Sequence, residues 1–313
     1  MNKIAHFIVH SKAAAYIAAL LYIAMWCSQS VLAGGITVSG SIGLLISLVV
    51  GYLSVRVARE YSFNDAKNAL PATLFFMGCA IAPQVSPARG DSIHFILFIT
   101  TCYILLRTYR CRSAMGSYFL AFALVGVQCL MVPSLLLTLP WLVLCGVIME
   151  SLHVRTFFAS LWGLLLPYWV VVGALFLTDK VVLIAPYFDK ILPSEFGLSS
   201  VLNVSPLWWQ YLWMYLLALP GSVIILLNRT MKLQTSTGFR LLIFSLVVLL
   251  ITIWLFPVCY SALFPCVLLY SSLIGTFLFA SNSGRVKNIY LTMLLILWLF
   301  SLGLHVWSNY MIH

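Results

Sequence analysis

Apolar runs recur along the whole chain, separated by short polar segments. A helix that crosses the hydrocarbon core of a bilayer needs about 20 largely apolar residues. Residues 13–33, 41–57, 156–177, 207–227, 241–256, 263–280 and 289–307 each read as one such helix. Residues 114–149 form a single apolar stretch interrupted by Val132-Pro133-Ser134. Proline removes a backbone donor and disfavours helical backbone in the residue before it, so this stretch reads as two spans joined by a tight turn. Residues 69–83 and 92–106 are shorter and read as two short spans, with a re-entrant hairpin as the alternative. The pattern predicts an all-α, polytopic helix bundle of about eleven spans in a single transmembrane domain, residues 1–313. Residues 1–12, which set Ile4, Phe7 and Ile8 on one helical face, suit an interfacial segment; a cleavable signal sequence is the rival reading.

Charge orients this pattern. Lys3, Lys12, Arg56, Arg59, Lys67, Arg107, Arg110, Arg112, Arg155, Arg229, Lys232, Arg240, Arg285 and Lys287 fall at every second connection. The other connections hold only Arg89, Lys180 and Lys190, so 14 of the 17 basic residues lie on one side. The positive-inside rule makes that side cytoplasmic, with the N-terminus inside and the C-terminus outside. A re-entrant pair at 69–106 would leave this alternation intact.

Composition agrees. Hydrophobic residues make up 63% of the 313 and charged residues 8%, against about 25% charged in a soluble domain. The mean hydropathy is +1.07. Too few charges remain to cover a water-facing surface, so lipid must cover most of it. The net charge of +10 sits in connections between spans and does not form a nucleic-acid-binding patch. The eight cysteines show no CxxC and no zinc-like spacing with histidine, which favours their packing between helices as small apolar residues.

Candidate chemistry is sparse. No span carries Asp, Glu, Lys or Arg near its middle, which argues against a proton relay in the membrane. Gln128 is the most polar mid-span residue, read either as a substrate contact or as an interhelical hydrogen bond. Ser47, Thr73, Ser160 and Thr252 can bond the backbone of their own helices. Pro140 and Pro167, each beside an aromatic (Trp141 and Tyr168), could bend two helices around one cavity. On the inner face, Arg107, Arg110 and Arg112 form the densest basic cluster, a candidate for an anionic lipid headgroup or simply for orientation. On the outer face, the 178–206 connection is the one long loop. Arg89, Asp91, Asp179, Asp189 and Glu195, with Trp208 and Trp209, could form a headgroup or sugar site there, or an ordinary interfacial belt. Membrane glycosyltransferases that use lipid-linked sugars look similar in outline. However, the first outer loop, residues 34–40, has no charge, which weakens an enzymatic reading. No nucleotide loop, HExxH or GxSxG occurs, and no cofactor is implied.

Across residues 103–177, Arg107 follows a span. Gly126 and Pro133 then sit in the paired spans, and Arg155 precedes Gly163-Leu164-Leu165-Leu166-Pro167-Tyr168. This arrangement resembles a family of uncharacterised inner-membrane proteins from Bacteroidota. The resemblance implies a bacterial plasma-membrane location and no particular activity.

Three functions fit the pattern: transport or flipping of a small molecule or lipid-linked envelope precursor, an enzyme acting on a lipid-linked substrate at the outer face, and a scaffold or assembly subunit of a membrane complex. The bilayer is the one certain partner, with lipid-linked substrates or other membrane subunits as further ones. A reporter fused after His313 should be active only outside the cytoplasm; cytoplasmic activity would reject the odd number of spans.

Overall fold

The computed structural model describes residues 7–9, 11–32, 35–60, 69–81, 92–111, 114–180, 182, 187, 208–227, 233–255, 260–280 and 285–311. Most of these residues are helical, with no strand among them. Eleven α-helices follow one another: α1 (Lys12–Leu32), α2 (Val38–Glu60), α3 (Leu70–Ile81), α4 (Ser92–Leu106), α5 (Met115–Met131), α6 (Leu139–Ile148), α7 (Val154–Leu177), α8 (Trp208–Leu227), α9 (Leu233–Leu255), α10 (Tyr260–Ala280) and α11 (Arg285–Met311), with a 3₁₀ helix, Pro133–Thr138, before α6. Each expected span therefore has one α-helix. Four stretches are long and apolar enough to cross a membrane: Lys12–Val31, Gly40–Arg59, Val154–Leu177 and Thr235–Ile253. The other apolar stretches run 10–17 residues.

Some helices leave much of their apolar surface uncovered by the protein. On α7, Trp162, Trp169, Val170, Phe176 and Leu177 are all more than 60% exposed. A continuous apolar face of that size is not tolerated in water, whereas lipid covers it at no cost. Such helices suit an integral membrane protein.

The chain divides into two compact units. One comprises Met1–Ser92, Ser205–Phe239 and Val267–His313; the other comprises Ile93–Val204 and Arg240–Cys266.

The first unit is organised around α3, whose twelve residues are all buried. It is apolar on every side, and such a helix must be surrounded by others. It packs on α1, α2, α8 and α11. Tyr22 of α1 stacks on Phe76 at 6.2 Å between ring centres, and its hydroxyl meets Ser47 of α2 at 3.0 Å. The indole of Trp298 on α11 donates to the Met77 carbonyl at 2.8 Å, and Tyr290 donates to the Leu216 carbonyl of α8. Ser11 caps α1 by accepting the amide of Ala13. The helical residues 7–9 lead into it through the Ser11 amide, which donates to Phe7 O. The rest of the expected interfacial segment lies outside the described residues.

In the second unit, α5 and α7 lie side by side at glycine contacts. A Cβ on Gly163 would stand 2.2 Å from the carbonyl oxygen of Phe119, and one on Gly126 would stand 2.6 Å from that of Leu164. Only glycine allows backbones so close, as small residues do in membrane helix pairs generally. These contacts advance along both helices in the same sense, from Phe119 and Gly163 to Gly126 and Pro167, so the pair is parallel. The chain between them must then travel back. Pro133–Ile148 does so: Gly146, near its end, sits against the Tyr118 hydroxyl near the start of α5. The expected pair of spans at 114–149 is thus an out-and-back pair. Its second member begins as the 3₁₀ helix Pro133–Thr138 and continues as α6, with a proline in the first turn of each.

The turns at one end of this unit are tied together. Arg110 and Glu150 both adopt positive φ, at 54° and 53°. The amide of Arg110 donates to Met149 O at 3.1 Å. Its Nε donates to the Glu150 carboxylate at 2.7 Å. Beneath them the Tyr118 hydroxyl meets Ser151 Oγ at 2.6 Å, and Ser151 donates to Thr108 at 3.3 Å.

Gly163→Val should separate α5 from α7, because a backbone atom cannot give way as a side chain can. The expected loss is about 2–3 kcal/mol, seen as a lower unfolding midpoint in detergent. Gly173→Val, at a position with open space around it, should leave the midpoint unchanged.

Candidate functional site

A cavity of about 590 Å³ opens in the first unit between α1, α2 and α3. It lies where α1 and α3 begin and α2 ends. Lys12, Tyr16 and Ala19 come from α1, Leu48, Tyr52, Arg56 and Arg59 from α2, and Ala72 and Phe76 from α3. Helical spacing creates each wall. Lys12 and Tyr16 are one turn apart on α1, and Tyr52, Arg56 and Arg59 follow at four- and three-residue intervals on α2, so each set shares a helix face. The floor is Phe76, 5% exposed. Its ring occupies the space left by Gly51, where a Cβ would approach Phe76 Cζ to 2.2 Å. The size is that of a small-ligand pocket.

None of Gln128, Pro140, Pro167 and Tyr168 lines this cavity. Gln128 is 3% exposed on α5, and its Nε2 has no hydrogen-bond partner among the described residues, so the expected interhelical bond from that nitrogen is not seen. Pro140 sits in the first turn of α6, where a missing amide is harmless, and does not bend a helix interior. Pro167 is inside α7, but its ring packs against Gly126 and fills the seam it was expected to open. Tyr168 meets the Tyr187 hydroxyl at 3.0 Å, and Tyr187 donates to Cys129 O at 2.7 Å. That chain of bonds ties one residue of the 178–206 loop to α5.

The basic cluster singled out from the sequence is partly occupied by its own neighbours. Arg110 pairs with Glu150, whose hydrogen bond and charge raise the guanidinium's pKa. Arg107 lies over the Tyr103 ring, 5.8 Å from its centre. Arg112 lies outside the described residues. Of the residues expected on the outer side, Asp179 follows α7 at φ 55°. Arg89, Asp91, Asp189 and Glu195 lie outside the described residues, as do the side chains of Trp208 and Trp209.

The hydroxyls read as self-satisfied are so. Ser47 donates to Leu44 O, Thr73 to Ala69 O, Ser160 to Phe157 O and Thr252 to Val248 O. Cys79, Cys102, Cys129, Cys145 and Cys266 are buried, matching the packing reading, whereas Cys27 is half-buried and Cys111 exposed; Cys259 lies outside the described residues. Among the described residues no three His, Cys, Asp or Glu side chains gather to hold a metal.

Sequence reading missed Lys12, Arg56 and Arg59 as a group because Lys12 lies 44 positions before Arg56 and each reads as a topology charge. The available signal was the stripe Tyr52, Arg56, Arg59 on one face of α2. Gln128→Leu replaces a buried amide, whose Nε2 is unpaired among the described residues, by an apolar side chain of similar size. It should leave the unfolding midpoint unchanged or raise stability by about 1 kcal/mol; a clear loss would reveal a partner for the amide. Compared with known proteins, the chain matches no family model, no curated protein and no solved structure.

Proposed function

We propose that the chain crosses a bacterial plasma membrane eleven times, N-terminus in the cytoplasm, and moves or flips an amphipathic small molecule or lipid-linked envelope precursor. The cavity between α1, α2 and α3 carries this reading. It has a charged mouth and an apolar floor, which is the polarity order of an amphiphile rather than of a wholly polar solute. It joins the ends of α1, α2 and α3 that bear inner-face charges under the positive-inside rule. Two further observations support the topology. Eleven α-helices stand where eleven spans are expected. The parallel α5 and α7 have a return segment between them, as alternating crossings require. The resemblance of residues 103–177 to inner-membrane proteins from Bacteroidota supports the location. Asp179 alone, of the outer-face carboxylates, is described, so no observation favours the enzymatic reading over transport.

The test is reconstitution into liposomes with a fluorescent, phosphate-bearing amphiphile. Its passage between leaflets is followed by quenching the outer dye. Passage should be faster than in protein-free vesicles, and Leu48→Trp, which fills the cavity, should return it to that background. Equal rates with and without protein, for phospholipid and prenyl phosphate alike, would reject transport.

A further inference from the structure

We infer that the cavity bounded by Lys12, Arg56 and Arg59 is a binding site for the phosphate of an anionic lipid in the inner leaflet. For its role in transport this inference rests on the proposed function; for occupancy it rests on the cavity alone.

Three cations converge on one cavity, and among the described residues no Asp or Glu lines it. Among the described residues the single ion pair is Arg110–Glu150, so none of the three has a carboxylate partner there. With no carboxylate partner among the described residues, three positive charges around one concave site repel one another unless an anion joins them. Each of the three reaches the mouth from a helix end, with Lys12 opening α1 and Arg56 and Arg59 in the last turns of α2.

Below the charges the lining changes in a fixed order. Tyr16 and Tyr52 stand one turn deeper, about 6 Å along the helices. Ala19, Leu48 and Phe76 follow, so that Arg59 to Leu48 spans about 16 Å of α2. Charge, phenol and hydrocarbon at these depths match the phosphate, ester and acyl regions of a phospholipid. Tyrosine is the residue that suits the middle level, with an apolar ring and a polar tip. The flanking surface is apolar: Ile17 and Leu20 on α1 and Leu45 and Val49 on α2 are all exposed. A ligand in the cavity therefore has hydrocarbon at its side, which a lipid tail tolerates and a free hydrated anion does not. Basic pockets between membrane helices on the cytoplasmic side are the ordinary form of anionic-lipid sites. The denser cluster at Arg107 and Arg110 lacks this logic, since Arg110 is already neutralised by Glu150.

The experiment is native mass spectrometry of the full-length protein. It is taken from mixed phosphatidylglycerol–phosphatidylcholine vesicles, and separately from phosphatidylcholine vesicles with inorganic phosphate. Wild type should retain phosphatidylglycerol in preference to phosphatidylcholine. Each of Lys12→Gln, Arg56→Gln and Arg59→Gln should weaken retention about fivefold, and the triple variant on the order of 100-fold. Leu48→Trp, with all three charges present, should also lose the lipid, and Arg107→Gln should keep it. If the triple variant does not accumulate, the single variants and Leu48→Trp decide the matter. No preference for phosphatidylglycerol, or equal retention by wild type and the charge variants, overturns the site. Protection by inorganic phosphate as strong as by the lipid also overturns it, in favour of a free-anion site. Retention of lipid without transport would keep the site and reject the transport reading alone.

Discussion

Lipid offers no hydrogen bonds, and nearly everything in this structure follows from that constraint. Each backbone polar group must be satisfied within its own helix, so the described residues form helix after helix. The same constraint governs the side chains. Ser54, Thr101, Ser245, Ser271, Ser272 and Thr276 all donate to carbonyls three or four residues back in their own helices. A hydroxyl satisfied in this way imposes nothing on its neighbours. Association between helices must then come from close packing and from a few bonds that cross between them.

Those crossing interactions are concentrated at particular residues. In the first unit, the Trp298 indole reaches the Met77 carbonyl and Tyr22 bridges Phe76 and Ser47, all around α3. In the second, Gly126 and Gly163 bring two backbones together without a side chain between them. Hydrophobic burial does not drive such pairing, because lipid is as apolar as leucine; shape complementarity does. The cavity is the place where complementarity fails. Phe76 fills the hollow at Gly51, but above it α1 and α2 carry Tyr16, Tyr52 and three cations that do not interdigitate.

Two clusters of arginine illustrate how charge divides between fixing a protein in the membrane and binding a ligand. Arg110 sits in a turn, held by a main-chain bond and by Glu150, and its charge is spent locally. Arg56 and Arg59 project from the last turns of a helix with Lys12 opposite and no described carboxylate between them. Both clusters satisfy the positive-inside rule equally well. Only the second leaves positive charge facing a space large enough to hold something.

The sequence by itself determined the all-helical class, the places of the helices among the described residues and the alternation of charge along the chain. A run of apolar residues is long or short regardless of its neighbours, and each connection's charge is legible one segment at a time. The bonding of Ser47, Thr73, Ser160 and Thr252 to backbone was legible for the same reason, since a bond from i to i−3 or i−4 is local. What only the tertiary structure decided involves residues far apart in the chain. Nothing in the sequence said that Gly126 would meet Leu164, or that Pro167 would fill a seam rather than open one. Nor did it say that Gln128 would lack a partner for its Nε2, because a partner on another helix cannot be read from one helix's pattern. The cavity belongs to the same category. It needs Lys12, Arg56 and Ala72 from three helices at one level, and that depends on how α1, α2 and α3 pack, which hydropathy does not encode.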